Sequence, residues 1–245
     1  MSSTSETGHI KNVSLFEDLI TTCQSFGTDY DPSNAMIGIA QLQAAYTATQ
    51  TALNDFKSQK TSYDMAVNQR RDAFEDIKPL STRIYNALIA SGAPKLTLAD
   101  AKGINKKMQG TKTPKASTEM KDTENSMAPK SISTSQQSYD RLVDHLVNLI
   151  ELLQQTPQYN PNENDLKVAQ LQAKVTNLQS AKTAWIAAFT TYNNAIRMRD
   201  EKLYHPDTGI VALALKAKRY VKSLYGAQST QYKQIGALAF KNKKI

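Results

Sequence analysis

"YDPSNAMIGIAQLQA" occupies residues 30–44, and "YNPNENDLKVAQLQA" occupies residues 159–173. At the constant offset of 129, residues 30–70 match residues 159–199 at 14 of 41 positions without a gap. The matches include Tyr30/Tyr159, Pro32/Pro161, all of "AQLQA", Tyr63/Tyr192, Ala66/Ala195 and Arg70/Arg199. Agreement of this extent indicates an internal duplication. Two copies are too few for a solenoid, so the expected product is a pseudo-two-fold helical bundle.

Each copy carries signals for a long helix. Asp31 and Asn160 suit N-caps, and Pro32 and Pro161 then fall at the first helical position, where a missing N–H costs nothing. Glu163, three residues after Asn160, completes a capping box in the second copy. Seam residues then follow steps of three, four and seven through Ile39, Leu42, Tyr46, Thr49, Leu53, Phe56, Tyr63, Val67 and Phe74. The second copy runs through Val168, Leu171, Val175, Leu178, Trp185, Phe189, Tyr192, Ile196 and Leu203. Such a heptad-like seam predicts two long helices packed lengthwise, with Trp185 taking the place that Phe56 has in the other copy.

Charged residues interrupt the seam. Lys60 and Lys182 stand where the other copy has Phe189 and Leu53, so the halves are not interchangeable. Arg70 and Arg199 share one position, and each is expected to pack its stem while its head reaches Asp72, Glu75, Asp200 or Glu201.

A shorter apolar helix precedes each long one, carrying Leu15, Phe16, Leu19, Ile20, Cys23 and Phe26 in the first copy. Leu142, Val143, Leu146, Val147, Ile150 and Leu153 form its counterpart. Breaks follow at "DIKPLS" (76–81) and "YHPDTG" (204–209), then a medium helix that ends near Gly92 or Gly226. The predicted fold is therefore all-α: an elongated bundle of two tandem repeats, each short helix, long helix, medium helix. The predicted organisation is a disordered N-terminus over 1–12, repeat 1 over 13–108, a flexible linker over 109–137 and repeat 2 over 138–245, the repeats sharing one core. The linker is rich in Thr, Ser and Lys and nearly devoid of large apolar residues.

Composition agrees with that reading. An apolar fraction of 40% suits a globular chain, and 9 Gly with 8 Pro supply too few turns for an all-β fold. Cys23 is the single cysteine, excludes an intramolecular disulfide and is expected to be a buried, inert thiol. "MSSTSETGHIKN" has neither the basic start nor the apolar stretch of a signal peptide, and no apolar run reaches membrane-spanning length. The expected location is the cytoplasm.

No catalytic, cofactor-binding or metal-binding constellation is legible. His9, His145 and His205 are isolated from one another and from metal-ligand spacing, with His145 expected on a polar helix face and His205 in a turn. Phosphate loops and nucleophile elbows are absent from the sequence. Charge is the uneven feature: the whole chain is +8, and residues 202–245 alone carry a net +8 while residues 95–115 carry +5. Lys106, Lys107, Lys112 and Lys115 from the first segment are candidate polyanion-binding residues. Arg219, Lys222, Lys233, Lys241, Lys243 and Lys244 are those of the second, where aromatics interleave with the cations.

The stretch "RYVKSLYGAQSTQYKQIGALAF" (219–240), together with "YNPNENDLKVAQLQ", resembles a family of uncharacterised all-helical proteins common in Bacteroidota. In that family a duplicated helical unit ends in a "KSLFGA-S-QYKQ" element. The resemblance covers most of the chain, is most specific over Lys222–Gln234 and departs in the linker. It implies a bacterial origin and a duplicated helical unit, and it carries no activity, cofactor or catalytic residue. The sequence thus favours a non-enzymatic structural or interaction protein that offers a helical surface to a protein partner or to another copy of itself. One alternative is an accessory protein that binds nucleic acid or an anionic lipid surface through the two basic segments. A further alternative is a helical pore-forming toxin component, for which "GIVALALKA" (209–217) is too short to span a membrane.

Overall fold

The computed structural model describes residues 4–110 and 137–242. They form eight α-helices and, among the described residues, no strand. The helices are α1 (Thr4–Ser25), α2 (Ile39–Phe74), α3 (Ile77–Ala90), α4 (Lys95–Gln109), α5 (Tyr139–Gln154), α6 (Val168–Tyr204), α7 (Ile210–Tyr225) and α8 (Thr230–Gly236). The fold is all-α. At about 1.5 Å per residue, α2 and α6 are each rods of about 55 Å.

The sequence match at offset 129 is mirrored in local structure. α2 and α6 begin at Ile39 and Val168, and 3₁₀ turns precede them at Ala35–Ile37 and Asn164–Leu166. In each case a buried tyrosine pins the approach: Tyr30 donates its hydroxyl to the Ile37 carbonyl at 2.8 Å, and Tyr159 donates to the Leu166 carbonyl at 2.9 Å. A buried phenol must find an acceptor, and here it takes one seven residues along the chain.

That bond explains why the long helices start later than the prolines suggest. Held in an irregular turn, Asp31–Pro32 and Asn160–Pro161 lie outside helix, and the Asn160–Glu163 capping box does not form. The cap of the first 3₁₀ turn is instead Asn34, whose side chain accepts from the Met36 N–H at 3.1 Å. The predicted break at 76–81 is also shorter than expected. α3 starts at Ile77, which places Pro79 in its first turn, where proline is tolerated.

Two further differences concern the ends of the repeats. Residues 1–12 are not wholly disordered: α1 is helical from Thr4, and His9 and Asn12 are 3% and 1% exposed. Both are polar, so apolar periodicity does not mark them. The basic segment at 95–115 contains α4, an amphipathic helix that buries Ala101 and Met108. Its lysines disguise a fourth helix in this half, and α8 is the fourth helix of the other. Residues 111–136 of the predicted linker lie outside the described residues. Its edge at Gln137 donates to the Lys107 carbonyl at 2.7 Å.

The chain divides into two compact units, one comprising residues up to Asp64 and from Ala187 onward, the other running from Met65 to Ile186. Both boundaries fall inside the long helices. The core of the first unit gathers Phe16, Leu19 and Leu42 with Leu203, Leu213, Val221 and Ile235. The core of the second gathers Ile77, Ile84, Leu88 and Met108 with Leu146, Leu149 and Leu171. Among the described residues there are thus two cores rather than one, and each draws on residues before 110 and after 137.

Within the first unit the seam is a run of aromatic contacts between α2 and α6. Tyr63 and Tyr192, matched in sequence at the offset of 129, stack on one another with centroids 5.3 Å apart and planes at 9°. Phe56 meets Tyr192 at 5.7 Å, and Phe189 meets Tyr63 at 5.8 Å while remaining 42% exposed. Each such pair adds about 0.5–1.5 kcal/mol beyond the area it buries.

Candidate polyanion-binding surfaces

α7 owes its position to a continuous buried face: Ile210, Val211, Leu213, Ala214, Ala217 and Val221 enter the core of the first unit. At 100° per residue, Leu215, Arg219 and Lys222 then fall together on the opposite face, and all three are exposed. Neither α7 nor α8 contains an acidic residue. Lys222 reaches over the Tyr232 ring of α8 at 5.5 Å, and the exposed Lys233 follows it in sequence. Arg219, Lys222 and Lys233 make no ion pair among the described residues.

Two other lysines of α7 have structural work, a distinction the sequence does not display. Lys216 sits 3.8 Å from the Asp207 carboxylate and donates to the Asp207 carbonyl at 2.9 Å. Lys218 donates to the Leu238 carbonyl and, at 3.3 Å, to the Gly236 carbonyl, with its ammonium 5.4 Å from the Phe240 ring centroid. Desolvation by burial lowers the Lys218 pKa. This lysine closes the C-terminal end of α8 and fastens the chain that follows.

That chain is held further along by Asn12. Its side-chain amide donates to the Lys241 carbonyl at 2.7 Å, and its carbonyl oxygen accepts from the Lys241 N–H at 3.0 Å. The docked tail therefore extends to Lys241, which has its backbone fastened and its side chain in solvent. Tyr204, beside Asn12, makes a 2.6 Å hydrogen bond with His9 Nδ1.

The remaining candidates are divided. Lys106 and Lys107 are exposed in the last turn of α4, where cations suit the helix C-terminus, and Gly110 in left-handed conformation caps their carbonyls. They belong to the second unit, and α7 and α8 to the first. Lys112, Lys115, Lys243 and Lys244 lie outside the described residues.

A cleft of about 230 Å³ in the second unit is also charged. Lys174 meets Asp76 there at 2.6 Å and Arg83 meets Asp165 at 2.5 Å. The hydrogen bond from Arg83 holds the Asp165 carboxyl below the usual range. Each of these two cations already has a carboxylate, so this cleft does not collect anions.

The histidines and the cysteine are accounted for locally. His205 Nδ1 accepts from the N–H groups of Asp207 and Thr208, both at 3.2 Å, and so shapes the turn between α6 and α7. His145 is buried rather than on a polar face, and desolvation lowers its pKa. Burial pushes the Cys23 thiol up to about 11, which leaves it protonated and unreactive. Among the described residues no helix is long and apolar enough to cross a membrane.

The seam arginines take different routes. Arg199 donates through Nε and Nη2 to Asp200 Oδ1 at 2.9 and 2.7 Å, as the sequence suggests, and lies over Phe56. Arg70 reaches neither Asp72 nor Glu75; its guanidinium lies between the Trp185 and Tyr139 rings, 3.8 and 4.7 Å from their centroids. Searches among family models, curated proteins and solved structures find no match to this chain.

Proposed function

We propose that this chain is a non-enzymatic interaction protein that engages an anionic partner through the exposed face of α7 and α8. The charge pattern of that face carries the reading. Arg219, Lys222 and Lys233 stand on two helices without a single carboxylate, whereas the cations in the cleft of the second unit are each paired with an acid. Cations held on a rigid surface without internal acids attract phosphate groups and release the counterions that surround them. Tyr232 beneath Lys222 adds an aromatic surface beside the charge.

Affinity for a generic DNA duplex and for anionic vesicles, measured across a salt series, tests this. For about three phosphate contacts, log affinity for duplex falls against log salt with a slope of about −3. The triple variant Arg219→Gln, Lys222→Gln, Lys233→Gln loses most of the binding. Preference for vesicles over duplex identifies the anionic surface as lipid. A native protein that binds neither at low salt overturns the reading.

A further inference from the structure

Arg70 and Arg199 occupy the same position of the two copies, and both guanidinium groups lie on aromatic rings contributed by equivalent positions, Trp185 and Phe56. A stacked guanidinium keeps its in-plane N–H donors for hydrogen bonding. Arg199 uses them on the carboxylate of the next residue, Asp200, at 2.7–2.9 Å. The residue following Arg70 is Arg71, so a second cation stands where its counterpart has an acid.

Among the described residues of the second unit, no carboxylate pairs with Arg70 in that way. Asp76 is taken by Lys174 and Asp140 by Lys182, at 2.6 and 2.7 Å. Arg70 Nε is buried without a hydrogen-bond partner, and neither Arg70 nor Arg71 makes an ion pair among the described residues. A buried donor of a charged group left unpaired is costly, and in native proteins such a group points to an ion or ligand that completes it.

We propose that Arg70 and Arg71 form an oxyanion site that takes a carboxylate or phosphate group in the role Asp200 plays for Arg199. The ligand contacts the Nε edge of Arg70, and Arg71 supplies the second charge, an arrangement suited to bidentate recognition of a planar or tetrahedral oxyanion. Because Nε is closed off from solvent, ligand entry shifts the Arg70–Trp185 stack. This site is independent of the α7–α8 face, which lies in the other compact unit.

The single tryptophan of the chain is Trp185, so its emission reports the site directly. Inorganic phosphate and acetate are titrated separately into the native protein at constant ionic strength set with chloride, while emission and melting temperature are followed. The expected result is a saturable emission change with a rise in melting temperature for at least one oxyanion. Stronger response to phosphate assigns the ligand as a phosphate compound; stronger response to acetate assigns it as an acidic side chain of a partner. Arg71→Asp restores the internal carboxylate of the Arg199–Asp200 arrangement and weakens the response at least tenfold, and Arg70→Lys, lacking Nε, does the same. No saturable response of the native protein to either anion, or an undiminished response in Arg71→Asp, overturns the proposal.

Discussion

The side chain of Asn12 pairs with both backbone polar groups of Lys241, 229 positions away, at 2.7 and 3.0 Å. The contact imitates one rung of a β-ladder and reads backbone rather than side chain. It also explains why a polar residue is buried on α1 beside Val13 and Phe16: the tail supplies the hydrogen bonds that water would otherwise make. Asn12→Ala leaves the Lys241 backbone without its partner and costs about 1–3 kcal/mol. Chemical denaturation measures this cost, and hydrogen exchange at the Lys241 amide accelerates with it. An unchanged exchange rate shows that other contacts hold the tail.

The two tyrosine pins permit a paired experiment. Tyr30→Phe and Tyr159→Phe each delete one hydroxyl and leave a buried carbonyl unsatisfied, at an expected cost of about 1–2 kcal/mol apiece. The bonds share no partner, so the double variant should lose the sum of the single losses. Equilibrium denaturation of the three variants checks both statements, and strong non-additivity refutes the independence of the two turns.

Phe56 and Trp185 answer to the same sequence position but not to the same burial. Phe56 is 5% exposed, whereas Trp185 is partly exposed beneath Arg70. Phe56→Ala therefore costs about 3–5 kcal/mol, and Trp185→Ala costs less, about 2 kcal/mol. Denaturation midpoints that place Trp185→Ala below Phe56→Ala contradict the assignment.

Much of this architecture is legible in the sequence, and the places where legibility fails share a cause. The long helices and their matching start points follow from apolar spacing and the 129-residue offset, because period and repetition survive in residue types. α4 is hidden because lysines outnumber its buried residues, Ala101 and Met108. The start of α1 is hidden because two of its buried positions, His9 and Asn12, are polar and bonded to distant Tyr204 and Lys241. The later starts of α2 and α6 depend on a bond from a tyrosine to a carbonyl seven residues on, which no capping pattern encodes. At the candidate surface, the sequence identifies Arg219 and Lys222 but cannot separate them from Lys216 and Lys218. Only packing reveals which cation faces solvent and which closes a helix.

Cys23 and the tyrosine pins together set an alkaline limit. Burial raises the Cys23 pKa to about 11 and that of Tyr159 to about 12, and raises Tyr30 as well. A raised folded-state pKa stabilises the fold while the group stays protonated in both states. That stabilisation is complete below the unfolded-state values and is lost as pH rises through the folded ones. Stability should decline progressively above about pH 9, and a thiol reagent at pH 8 should label Cys23 only as fast as the unit opens. Rapid stoichiometric labelling of the folded protein at pH 8 contradicts the burial.

Cleavage between the sequence repeats should not separate them. The core of the first unit needs Leu19 and Leu42 from one side of the linker and Leu213 and Ile235 from the other. The core of the second needs Ile84 and Met108 with Leu146 and Leu171, again from both sides. A protease site introduced between residues 111 and 136 breaks the chain between the two groups of core residues just named. The resulting fragments each hold half of both cores, so they should stay associated through gel filtration and keep the helical circular dichroism of the intact chain. Losing the covalent link removes loop closure, which makes stability depend on fragment concentration while the contacts persist. Residues 1–110 expressed alone, by contrast, present two half-cores to water and should neither fold cooperatively nor remain monomeric. A folded, monomeric 1–110 fragment would sink the two-core assignment, because it would show that the first repeat completes a core without the second.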